Sequence, residues 1–380
     1  MKQSTRRVLG IGAIAAVSAL ILGGCSSTTP SASSSATALT KVTLQLQWVA
    51  QAQFAGYYAA AAEGFYKKEG LDVTIKQAGT DTVPINSVAK GDADYAISWV
   101  PKVLGSIEQG VNVTDVAQIF ERSGTTQISF KDKGITTPAD LKGKKVGSWG
   151  YGNQWELFAG MQKAGINTDT GISLVQQAFD MKGFLAGDID AAQAMTYNEY
   201  AQVLETINPA TGKLYQPSDL NVINWNDYGT AMLQDAIWAD TDRLKDKAFE
   251  ATTVKFIKAS IEGWIYARDN PEKAADIVTK AGSTLGTSHQ LWMTNEVNKL
   301  IWPSTSGIGV VRKSQWDQTV KIAESTKDNT GATIISKAPP ATAYSNTYVD
   351  QALKELKAEG VDVMGTDYKP ITVTLKEGGK

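Results

Sequence analysis

The chain has 380 residues, with 37 Lys and Arg against 39 Asp and Glu, a net charge of -2, one histidine and one cysteine. No basic block stands out, so the sequence carries no electrostatic footprint for nucleic acid or for a polybasic contact with lipid. A single cysteine and a single histidine leave no set from which a disulfide or a structural metal centre is usually built, and no cofactor is expected.

Lys2, Arg6 and Arg7 precede an apolar run from Val8 to Leu22, which ends in Leu22-Gly23-Gly24-Cys25. The charged start and short apolar run read as a signal peptide over 1–25. The run is shorter than the ~20 apolar residues that a spanning helix needs. Small residues before the cysteine resemble a lipobox, which predicts cleavage there and a lipid on Cys25. Thr5-Arg6-Arg7 leaves both the Sec and the twin-arginine export routes open. Residues 26–40 are rich in Ser, Thr and Ala and carry no charge, the composition of a flexible tether. The remaining chain exceeds the usual size of one domain, so two lobes are expected, the first from 41–123 and 235–380 and the second from 124–234.

In the first lobe, Val42 to Gln47 alternates as a half-buried strand, and the alanine-rich run from Ala55 to Glu63 reads as a helix. Between them lie Trp48, Gln51, Gln53 and Phe54, with Tyr57 just inside the helix. In open α/β sheets, ligands bind beyond the carboxyl ends of strands, so this junction is placed like a binding loop. Its chemistry is ring stacking and amide hydrogen bonding. Leu71 to Ile75 is a second strand, Asp81 is a candidate cap for a short helix containing Pro84, and Tyr95 to Ser98 is a third strand running into Trp99. Strand, helix, strand, helix, strand is a parallel-sheet rhythm. Ser98 and Trp99 fall at a strand end; Trp99 is either a core indole or a ring on the pocket wall.

In the second lobe, Val113 to Phe120 and Thr126 to Lys131 read as strands, and Thr137-Pro138 caps a helical turn. Lys145 to Trp149 is a strand, and Gly150-Tyr151-Gly152-Asn153 leads into a helix from Gln154 to Ala164. A glycine-rich strand-to-helix turn lets backbone approach a ligand, which puts Tyr151, Gly152, Asn153 and Gln154 forward as ligand-facing. The plainer alternative is a tight turn with Trp149 and Trp155 packed behind it. The stretch Gly187-Asp188-Ile189-Asp190 echoes Gly91-Asp92-Ala93-Asp94, so the lobes look like an internal repeat. By that analogy Tyr197, Asn198 and Glu199 take the strand-end position of Ser98 and Trp99. Glu199 is either an acid meeting a helix dipole or a carboxylate that accepts hydrogen bonds from a ligand. Trp225 and Tyr228 stand near the return crossing at Gln234 to Asp240, as cleft-lining rings or as core.

From Arg243 to Arg268 apolar residues recur at helical spacing, Pro271 starts another helix, and Trp292, Trp302 and Trp316 sit in later amphipathic stretches. His289 reads as a surface or capping residue, and Lys369 to Lys380 as a frayed end.

Trp48, the helix start Gln51 to Tyr58, the run Glu63 to Val73, and Gly91 to Asp94 resemble the signature of extracytoplasmic solute-binding proteins related to thiamine-pyrimidine-precursor synthases, with sulfonate, taurine and nitrate binders as cousins. The resemblance implies an α/β, two-lobed periplasmic binding protein type II fold, each lobe a mainly parallel sheet flanked by helices, serving an ABC importer with a permease and an ATPase as partners. It further implies a monomer held outside the cell membrane, which binds a small planar nitrogen heterocycle such as a thiamine pyrimidine precursor or riboflavin. The enzymatic branch carries a histidine where this chain has Phe54, and a cysteine-rich motif that is missing here. The expectation is therefore binding, not turnover, with sulfonate, taurine or nitrate as the alternative ligands and a pyrimidine-synthesis enzyme of the related branch as the rival from another class.

Overall fold

The computed structural model describes residues 38–380; the expected signal peptide, Cys25 and all but the last three residues of the expected tether lie outside the described residues. Strand β1 (Thr40–Gln45) forms where polar and apolar residues alternate, and Val42 and Leu44 turn into the core. Its first residue is one position before Lys41, where the folded part is expected to begin. A 3-10 turn at Ala52–Phe54 runs into α1 (Ala55–Ala62), and Gly64 separates it from α2 (Phe65–Lys68). Next come β2 (Leu71–Lys76), α3 (Pro84–Ala89), β3 (Tyr95–Trp99), α4 (Val100–Glu108) and β4 (Val113–Gln118). Pro84 opens α3, as its fixed φ and missing N–H favour, but Val83 takes the cap position and Asp81 makes no capping bond.

The chain then crosses to a second set of strands: β5 (Thr125–Phe130), β6 (Lys145–Ser148), α5 (Trp155–Lys163), β7 (Ser173–Gln176), α6 (Lys182–Leu185), β8 (Ala192–Met195) and α7 (Glu199–Leu204). A small antiparallel pair, β9 (Ile207–Asn208) and β10 (Lys213–Leu214), precedes β11 (Leu220–Asn224). Strand β12 (Asp235–Asp240) returns to the first sheet, and α8 (Lys247–Asp269), α9 (Pro271–Lys280), α10 (Thr287–Ile301), α11 (Lys313–Ser325) and α12 (Thr347–Ala358) complete the fold.

The first sheet has the order β2-β1-β3-β12-β4, and the second joins β11-β5-β8, with β6-β7 as a parallel pair linked to β8 by a parallel bridge at Val146 and Ala191. In both, the βαβ strands run the same way, whereas β12 and β5 are antiparallel to their neighbours. Topology explains the exception. A strand arriving from the other lobe enters at the end where the βαβ strands finish, so it runs against them. The sheets are thus mixed at their crossover strands.

The repeat read from sequence has a structural counterpart. Gly91 and Gly187 both adopt left-handed backbone, at φ 77° and 81°, after a short helix. Asp94 then accepts the Thr43 N–H at 2.7 Å and an Arg243 bond at 2.7 Å; Asp190 accepts the Lys145 N–H at 3.0 Å and a Lys133 bond at 3.0 Å. The terminal segment is docked and not frayed. Ile371 N–H donates to Asn295 at 2.9 Å, Lys376 N–H to Ser288 at 3.2 Å, and Gly378 N–H to the Glu205 carbonyl at 3.0 Å. Among the described residues no helix is long and apolar enough to cross a membrane.

Candidate functional site

The carboxyl ends of the two sheets' strands face a cavity of about 270 Å³. Trp48, Gln51, Gln53, Ser98, Trp99 and Lys102 line it from the first lobe, together with the loop before α3; Trp149, Tyr151, Asn153, Phe179, Met195, Tyr197, Asn198 and Glu199 line it from the second. Its size falls just below the ~300–1,000 Å³ of typical small-molecule clefts.

Rings dominate the wall. Phe179 lies 4.9 Å from Trp48 across the cleft and 6.1 Å from Trp149, the latter nearly parallel at 18°. Lys102 Nζ stands 4.9 Å from the centroid of Trp99, a cation–π distance. Trp99 itself is anchored, donating from Nε1 to Asp235 at 2.7 Å. Asp235 also receives Gln47 at 2.7 Å and Gln53 at 3.0 Å, and Gln51 donates to Gln53 at 2.7 Å. The first lobe's amides are therefore largely spent on holding one another around a buried acid.

Burial pushes Asp235 and Glu199 up to about 7, and lowers Lys102 to about 8 while the Asp235 charge opposes the fall. Tyr197 is fully buried and raised by burial. Glu199 accepts the Met195 N–H and the Asn198 amide, both at 3.0 Å, and still reaches the cavity wall. On the glycine-rich loop Tyr151 has φ 52° and is 81% exposed, so the strained backbone throws its ring outward at the cleft mouth. Asn153 donates to the Gly150 carbonyl at 2.7 Å.

The cavity brings together Trp48, Gln51, Gln53, Ser98, Trp99, Tyr151, Asn153, Tyr197, Asn198 and Glu199 of the residues expected at a ligand. Six others stand elsewhere. Phe54 is fully buried because the 3-10 turn rotates its ring into the first core, and Tyr57 packs edge-on against Trp264 at 5.6 Å. Gly152 lies beneath Lys102, where a Cβ would come within 3.5 Å of that side chain, and Gln154 turns back to accept the Gly152 N–H at 3.0 Å. Trp225 is core, seated on Gly160, whose lack of a Cβ opens a space that any larger residue would close to 2.4 Å. Tyr228 meets only the edge of that indole, at 6.5 Å.

Sequence reasoning missed Asp235, Lys102, Phe179 and the wall position of Trp149. Lys102 could have been found, because it stands three residues beyond a strand-end tryptophan in a helix whose first turn faces the cleft. His289 is also corrected. It is fully buried, with Nδ1 at 2.9 Å from both Glu205 oxygens and Nε2 at 3.0 Å from Asn198.

A family model described as NMT1/THI5 like matches residues 51–274, more than half of the chain. The chain is 25% identical over 261 residues to a formylaminopyrimidine-binding protein of Halalkalibacterium halodurans, a match covering 68% of this chain and 75% of that protein. It is 24% identical over 293 residues to the riboflavin-binding protein RibY of Chloroflexus aurantiacus, covering 71% and 77%. Among solved structures, the periplasmic aliphatic sulphonate binding protein SsuA of Escherichia coli is similar with a TM-score of 0.54 at 15% identity, over 90% of this chain and 94% of that one. A Candida albicans protein with the generic periplasmic binding protein fold gives 0.52 at 14% identity, over 87% and 99%. Identities this low speak for fold alone, and the fold is that of a two-lobed periplasmic binding protein. With the family match covering every strand except β1 and most of the cavity wall, the chain belongs to the NMT1/THI5-like family.

Proposed function

We propose that the chain is the extracytoplasmic solute-binding component of an ABC importer, which captures a small planar nitrogen heterocycle between its lobes and delivers it unaltered to a permease. The observation that carries the reading is the ring-walled cleft, in which Trp48 from one lobe and Phe179 and Trp149 from the other converge beside Trp99 and Tyr197. Aromatic faces hold a flat ring through stacking, and Asn153, Asn198 and Glu199 supply polar atoms for its edge. The relatives named for formylaminopyrimidine and riboflavin support ligands of this class. Closure about the crossover strands is the motion this architecture uses.

Binding without turnover is supported by the relatives named as binding proteins and by the resemblance, which implies a histidine in the synthase branch where this chain has Phe54. Lipidation at Cys25 would moor the protein outside the membrane, and Cys25→Ser should release it into the medium. A second reading, capture of a sulfonate, taurine or nitrate, draws on Lys102, a cation on the cavity wall that forms no salt bridge among the described residues. Calorimetric titration of the purified protein with formylaminopyrimidine, riboflavin, taurine and an alkanesulfonate separates these readings. Stoichiometric binding of a heterocycle with no product formed is the expected result. Binding of the sulfur acids alone overturns it.

A further inference from the structure

The chain's only histidine stands directly behind the cleft, and the role it is given rests on the reading of that cleft as a heterocycle site. His289, on α10, is fully buried between Glu205, just beyond α7, and Asn198, just before it. Nδ1 is 2.9 Å from both Glu205 oxygens, and Nε2 is 3.0 Å from Asn198 Oδ1. Asn198 carries the line to the cavity: its Nδ2 donates to Glu199 Oε1 at 3.0 Å, while its Oδ1 accepts from Gln202 at 3.1 Å. Glu199 Oε2 takes the Met195 N–H at 3.0 Å.

With Glu199 ionised, the direction of each bond follows from its partners. A carboxylate only accepts, so Nδ1 carries a hydrogen for Glu205 and the Asn198 NH2 turns towards Glu199. That leaves Oδ1 facing the histidine, and Nε2 must donate as well. A ring that donates through both nitrogens is an imidazolium. The opposite arrangement requires every member to change together, with a protonated Glu199 donating to a turned Asn198 amide whose NH2 meets a neutral ring. The orientation of the Asn198 amide and the donor pattern at His289 are thereby linked.

We propose that His289, held by Glu205, is a positioning residue that fixes the Asn198 amide and so presents Glu199 to the cleft as a hydrogen-bond acceptor, making the site selective for a ring edge that donates N–H, such as an amino group, over one that offers a carbonyl. The other ionisable groups around this line are Tyr197 and Tyr200 beside Glu199, Asp235 acting on Tyr197, and Glu296 on α10 acting on Tyr200. Lys102 shares the cavity wall, and the terminal segment with Lys376 and Glu377 covers Glu205.

Because the chain has one histidine, protein labelled with 15N-histidine yields a single ring to read, with or without ligand. If the bonds run in this direction, both ring nitrogens carry a hydrogen, and Glu199→Gln should change the ring's spectrum. A neutral ring, or a spectrum untouched by Glu199→Gln, overturns the proposal. Calorimetry with 4-amino-2-methylpyrimidine and its 4-oxo counterpart reads the consequence. The wild type should favour the amino compound by about tenfold, the scale of one charge-assisted hydrogen bond, and Glu205→Gln should erase most of that preference while the circular dichroism stays native. His289→Gln should act in the same direction; a preference unchanged in both variants overturns the proposal. If neither pyrimidine binds, the heterocycle reading of the cleft fails, whereas the histidine spectrum still decides whether the line of bonds sets the charge of Glu199.

Discussion

Asp235 and Glu199 are buried carboxylates at the cleft ends of the two sheets, and burial raises both to about 7, yet they are placed to do different work. Asp235 is surrounded by donors from Gln47, Gln53 and Trp99, so its oxygens are occupied within the first lobe. Glu199 takes one backbone N–H and one amide and forms part of the cavity wall. A saturated acid organises its neighbours, while a partly satisfied one is available to a guest. The lobes share a scaffold, down to the matching roles of Asp94 and Asp190, and diverge in what each places at its strand ends.

The contrast breaks most visibly at Asp235. Asp235→Ala strands the donors of Gln47, Gln53 and Trp99, and should cost about 3 kcal/mol of stability in urea unfolding. Glu199→Gln, which keeps the shape and most bonds, should leave the urea midpoint nearly unchanged. Removing a wall ring tests the cleft directly: Trp48→Ala should weaken heterocycle binding by about 30-fold, close to 2 kcal/mol, in calorimetry.

Acid strength gives a smaller effect with a definite sign. In the folded chain burial lets Asp235 hold its proton up to about 7, against 3.8 for an ordinary Asp, so the folded state binds more protons across that window. The contribution to stability therefore falls as pH rises from 3.8 to about 7. Tm measured across this range should decline with rising pH, and Asp235→Asn should flatten the slope. The smallest effect belongs to Tyr228→Ala, which should change heterocycle affinity by less than about threefold, because surface changes away from a site are usually within ~0.5 kcal/mol.

The legible parts of the site were those encoded by local order. Strand-end positions put Trp99, Tyr197 and Glu199 at the cleft because a βαβ chain must turn there, and the glycine-rich turn marked Tyr151 and Asn153. Phe54 misled because the period changes between Gln51 and Ala55. A single 3-10 turn rotates neighbouring side chains to different faces, so Gln53 reaches the wall and Phe54 the core. Asp235 and Phe179 carried no local mark, since an acid opening a crossover strand and a phenyl in a polar loop gain meaning only from residues far away in sequence. His289 looked solitary for the same reason. Its partner Glu205 is 84 positions away, and only the packing of α10 beside α7 brings them together.

The docked terminus bears on how the clamshell can move. Between Ile371 and Gly378 the segment is fastened to α10 at Asn295 and Ser288 and then to Glu205 beyond α7, so it works like a spine along one side of a book. While the Gly378–Glu205 bond holds, α10 and the end of α7 stay joined on that side, and any parting of the two sheets has to keep this tie or break it.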